Sequence, residues 1–118
     1  MSNIDPEVLY LILTKVARKE PFYGYDAAQQ QPIQKPGTIS SRELALVYER
    51  VTGNRVGSRL NWKTPLEQLN LLLSHCGLPA IGKLVLLDQG PEPTPEALDK
   101  VQGTQWPAFG ALRNLYRK

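Results

Sequence analysis

Cysteine and histidine each occur only once in these 118 residues, side by side as His75 and Cys76. A single cysteine excludes an internal disulfide, and one thiol with one imidazole cannot close the usual four-ligand zinc site within one chain. Metal-ligating spacing is also missing among the carboxylates, so neither a metal nor another cofactor is expected. The glycines form no phosphate loop: "GNRVGSRL" lacks the lysine-serine ending of a P-loop and has no strand before it. Long hydrophobic runs are absent too. The longest, Val8 to Leu13, is far short of the roughly 20 residues that a bilayer span requires. No charged segment leading into an apolar stretch opens the sequence, and the expectation is a soluble, cytoplasmic protein.

What is present suffices for one core. Hydrophobic residues make up 42% of the chain, and its length suits a single domain over residues 1–118. The net charge of +3 is modest, but it is unevenly spread. Between Lys35 and Lys63, the cations Lys35, Arg42, Arg50, Arg55, Arg59 and Lys63 face only Glu43 and Glu49, a local excess of +4. Asp88, Glu92, Glu96 and Asp99 form an acidic cluster further on. Two faces of opposite sign are therefore expected.

Helix signals recur along the chain. "DPEVLYLILTKVARKE" has Asp5 as cap, Pro6 at the first helical position and cations near its end, with Pro21 to stop it. "PFYGYDAAQQQPIQKPG" then has a composition for turns and a short hairpin. "TISSRELALVYERVTGN" places Ser40 and Glu43 in capping-box spacing and repeats Leu44, Val47, Tyr48 and Val51 at helical spacing. Gly53 or Asn54 ends it in the left-handed conformation. In "TPLEQLNLLLSHCG", Thr64 reads as cap, Pro65 as first residue and Glu67 as partner in a second capping box. Gly77 and Pro79 stop this helix, and "KLVLL" reads as a buried strand. Thr94 before Pro95 starts a short helix, and Phe109, Leu112, Leu115 and Tyr116 mark a last amphipathic one.

Two places invite a functional reading. His75 and Cys76 suggest a nucleophile with its base, but adjacent helical positions point about 100° apart, out of hydrogen-bond reach. Cys76 extends the leucine stripe and reads as a core residue. The basic segment is the stronger candidate: Arg42, Arg50, Arg55, Arg59 and Lys63 are suited to pair with phosphates, and Trp62 to stack or wedge. A solvated helix face with a polar loop is the plain alternative. Phe22, Tyr23 and Tyr25 read as loop packing rather than a binding platform. Trp106, before Pro107, reads as an anchor for the last helix.

The stretch from "TISSRELALVYERVTGNRVGSRLNWK" to "CGLPAIGKLVLL", with Trp106 beyond it, resembles a small helical domain found beside HNH-type nuclease and restriction-associated domains in bacteria and phages. Ile39 and Ser40, the Gly57 link, the Gly-Leu-Pro turn and the apolar strand match its pattern in order. Ala80 stands where a second proline is typical, and "DQGPEPTP" replaces a glycine-rich continuation. The nuclease motif itself is absent. The expected fold is mainly α with a minor β element, similar to a winged helix, with residues 40–53 and 64–76 as consecutive helices before a strand at 83–87. The expected function is non-enzymatic: an accessory module linked to restriction or defence that binds nucleic acid without sequence preference. The alternative is a protein-interaction module, an inhibitor or immunity protein, that presents Asp88, Glu92, Glu96 and Asp99, or the basic face, to a protein partner.

Overall fold

The structure, a computed structural model, describes residues 4–20, 37–56, 61–87 and 93–115, with the backbone alone at Arg113 and Leu115. Helix α1 spans Pro6–Ala17, and Asp5 caps it by accepting the Glu7 N–H at 2.9 Å. Seven of its twelve residues are buried, because its apolar residues cover more than one face and other elements pack around it. Helix α2 (Ser41–Thr52), helix α3 (Lys63–His75) and the 3-10 turn Ile81–Leu84 supply those surroundings. Leu9, Leu13, Val16, Leu44, Leu73, Ile81 and Leu84 are fully buried and belong to one apolar cluster.

The helices end by distinct local devices. In α3, the Leu78 N–H reaches the Leu73 carbonyl at 2.8 Å and the Gly77 N–H the Ser74 carbonyl at 3.1 Å, with Gly77 left-handed at φ 75°. This Schellman arrangement satisfies carbonyls that the helix leaves unbonded. Helix α1 closes in the same way, through Glu20 N–H to Lys15 O and Lys19 N–H to Val16 O. There the left-handed position holds a lysine, Lys19, at φ 62°, before Pro21 is reached. A side chain in that conformation costs energy that glycine avoids, although glycine also loses more chain entropy on folding. Lys19→Gly is expected to stabilise the protein by about 0.5–1 kcal/mol in urea unfolding, where a loss of stability would contradict the geometry.

The β element is minimal. Strand β1 (Ile39–Ser40) pairs in parallel with strand β2 (Val85–Leu86), with Ile39 opposite Val85 and Ser40 opposite Leu86. It ties the start of α2 to the segment after α3. Helix α4 (Pro95–Gln102) is capped by Thr94, whose hydroxyl accepts the Ala97 N–H at 3.1 Å. The chain then passes through a 3-10 turn, Phe109–Ala111, into the short helix α5 (Leu112–Leu115).

The architecture is mainly α with a minor β element, as the sequence implies. Several local expectations change. The strand is shorter than 83–87, since residues 81–84 form a 3-10 turn that buries Ile81 and Leu84. A wing would be an antiparallel hairpin, whereas the strands here are parallel. Thr64 caps nothing: α3 begins at Lys63, two residues before Pro65, with the Asn61 Oδ1 accepting the Lys63 N–H at 3.0 Å and Trp62 already in helical conformation. The turn-rich stretch 21–36 and Tyr116 lie outside the described residues.

Candidate nucleic-acid interface

Helix α2 carries the first part of the basic segment. Its start is held by the full capping box, with the Ser40 Oγ accepting the Glu43 N–H at 3.1 Å and the Glu43 Oε1 accepting the Ser40 N–H at 2.9 Å. Its other end stops at Gly53, left-handed at φ 74°. Beyond it the chain folds back, because the Glu49 Oε1 accepts the Val56 N–H at 2.8 Å and Val56 is buried. Both carboxylates of the segment thus bond to backbone donors and are half-buried. Arg42, Arg50 and Arg55 are exposed. The arginines are therefore the more exposed charges of this segment, with the carboxylates held closer to the backbone.

The geometry of α2 groups two of them. Only Leu44, Val47 and Tyr48 of its twelve residues are buried, on a strip about 100° wide. Arg42, Leu46 and Arg50 fall within about 80° of one another on the opposite side, and the two arginines are separated by about 12 Å along the axis. Leu46 is 50% exposed between them, and Val51 is 54% exposed toward the helix end. Lys63 opens α3 in solvent, 4.0 Å from Glu67 one turn on, so its charge is partly offset. Arg59 lies outside the described residues.

Trp62 departs from its expected role. It is only 5% exposed and meets Tyr48 edge-on, with ring centroids 6.0 Å apart and an interplanar angle of 70°. Tyr48 in turn accepts the Asp5 N–H at 2.8 Å. The indole thus joins α3 to α2 and, through Tyr48, to the start of α1. A ring buried there presents no face on which a base could stack.

The acidic candidates are divided. Asp88 and Glu92 lie outside the described residues, while Glu96 and Asp99 are exposed on α4. Glu96 lines a cleft of about 280 Å³ together with Lys83 and Lys100, so the charge around it is mixed. A second hollow of about 220 Å³, between the start of α1 and α3, is lined by Ile4, Pro6, Leu9, Pro65, Leu69 and Leu72. Cys76 is buried and its Sγ donates to the Leu112 carbonyl at 3.4 Å, whereas His75 is exposed. Among the described residues, no group of three or more His, Cys, Asp or Glu side chains is placed to hold a metal ion. No helix among them is long and apolar enough to cross a membrane.

No protein-family model, characterised protein or solved structure matches this chain. The resemblance to the domain beside HNH-type nucleases rests on its sequence pattern.

Proposed function

We propose that this protein is a non-enzymatic module that associates with nucleic acid through phosphate contacts, of the kind that accompanies restriction or defence nucleases. One observation carries the reading: Glu43 and Glu49 are bonded to backbone N–H groups while Arg42 stands exposed on the same helix and Arg55 just beyond its end. Cations displayed in this way neutralise phosphates and release counterions, and the affinity then depends steeply on salt but little on sequence. The link to restriction or defence comes from the sequence pattern alone.

Fluorescence anisotropy with an unrelated duplex, titrated over a range of salt, tests the proposal. With Arg42, Arg50, Arg55 and Lys63 on about four phosphates, the log–log slope is expected near −3.6. Arg42→Ala combined with Arg55→Ala removes two contacts, and the slope should fall to about −1.8. Absence of binding at low salt, or a slope unmoved by the double substitution, would overturn the proposal.

A second reading has its own support. Leu46 is about half exposed between Arg42 and Arg50, and an apolar side chain inside a basic face suits an acidic protein surface with an apolar centre. A stoichiometric protein captured equally from nuclease-treated and untreated lysate, and lost on Leu46→Asp, would favour it. The exposed carboxylates Glu96 and Asp99 offer that reading a second surface.

A further inference from the structure

We infer that the nucleic acid taken by the basic face is double-stranded DNA, with α2 seated in its major groove and Leu46 toward the groove floor. The inference rests on the proposed function and specifies its ligand. It begins from the way α2 stands out of the fold. Three of its twelve residues are buried, against seven of twelve in α1, and its exposed residues Arg42, Leu46 and Arg50 share one side. A helix with its side chains is about 10–12 Å across, which matches the roughly 12 Å major groove of B-form DNA and exceeds the roughly 6 Å minor groove.

The outward side chains fit the same geometry. Leu46 is flanked by Arg42 and Arg50, one turn away on either side. A leucine is poorly suited to a phosphate, but at the groove floor it meets apolar base groups such as the thymine methyl. The arginines, about 12 Å apart along the helix, then reach phosphates at the walls. Glu49 shares this side of α2, but its carboxylate is drawn back to the Val56 N–H.

Other nucleic acids fit less well. Single strands are held by bases stacked on exposed aromatic rings, and among the described residues the aromatics of this segment, Tyr48 and Trp62, are 4% and 5% exposed and pack on each other. Double-stranded RNA has a deep, narrow major groove that does not admit a helix.

The test compares a mixed-sequence DNA duplex, one of its strands alone and the RNA duplex of the same sequence, at one salt concentration. The DNA duplex is expected to bind about tenfold tighter than either alternative, with guanine N7, a major-groove atom, protected from methylation. Leu46→Glu, at an exposed position that leaves the circular dichroism spectrum unchanged, should weaken the DNA duplex by about tenfold and narrow its advantage over the single strand. Equal or tighter binding to the single strand or to RNA, or an N7 pattern identical with and without protein, would overturn the inference and leave the phosphate-binding function standing. Failure to bind any of the three would overturn both.

Discussion

Replacing Trp62 with alanine is expected to lower the free energy of unfolding by about 3–5 kcal/mol, the range for deleting a large buried aromatic. The indole lies just before α3 and is 5% exposed, so its removal opens a cavity beside Tyr48 of α2. The edge-on contact with Tyr48 is lost with it. Tyr48 also holds the Asp5 backbone N–H at the start of α1, so loosening its ring reaches that helix. A protein of this size is stable by only about 5–15 kcal/mol, so the variant is expected to lose a large share of that margin. Trp62→Phe keeps an apolar ring in place and should cost markedly less. Urea unfolding followed by far-ultraviolet circular dichroism measures both. A loss below about 1 kcal/mol for the alanine variant would contradict burial of the ring and return the tryptophan to the binding surface.

Trp62 also marks where the sequence stops being informative. An aromatic amid Arg55, Arg59 and Lys63 has the composition of a stacking residue, and nothing local distinguishes that from a core residue at the edge of a helix. The difference lies in the starting point of α3. Thr64 and Glu67 have capping-box spacing, but so placed a cap would leave Trp62 in the loop. Burying the indole against Tyr48 favours a helix that begins at Lys63, and Asn61 then accepts the first free N–H. Packing decided between two locally acceptable caps. At α2 no such competition existed: Ser40, Glu43 and the leucine-valine-tyrosine stripe agree, and the helix forms where they indicate.

The strand shows a similar limit. "KLVLL" is apolar throughout, and periodicity cannot separate a strand from a tight helical turn in so short a run. Its partner settles the matter. Residue Ser40 turns directly into the cap of α2, so β1 offers only two residues for pairing, and only Val85 and Leu86 are used. Leu84 is instead buried from the 3-10 turn. That turn is held to α3 by Asn70, whose Oδ1 accepts the Gly82 N–H at 2.8 Å. A Cβ on Gly82 would come within 2.9 Å of the Asn70 amide. In the basic segment, the charges and the capping-box bond of Glu43 were legible, but not the bond that draws Glu49 to the backbone. That bond depends on the chain folding back at Val56.

Tyr10 gives the second large effect, and it appears only at high pH. The ring is 1% exposed in the middle of α1, edge-on to Trp106 at 6.2 Å and tilted against Phe109 at 5.5 Å. Its hydroxyl donates to the Pro107 carbonyl at 2.6 Å, which anchors the C-terminal segment to α1. Burial disfavours the phenolate and raises the pKa from 10.0 to about 12; Arg18 pulls it down, and Cys76 adds a smaller push upward. In the unfolded chain the phenol ionises near pH 10. Between about pH 10 and 12 the unfolded state therefore binds fewer protons than the folded one, and stability falls as pH rises. Two pKa units correspond to about 2–3 kcal/mol by pH 12. Tyr10→Phe cannot ionise. It gives up the bond to Pro107, a loss of about 1–2 kcal/mol at neutral pH, but should lack this share of the alkaline decline. Urea midpoints measured from pH 8 to 12 for both proteins should converge and then cross. Parallel curves would mean that the phenol is accessible to solvent and that the anchor between α1 and Pro107 is not formed.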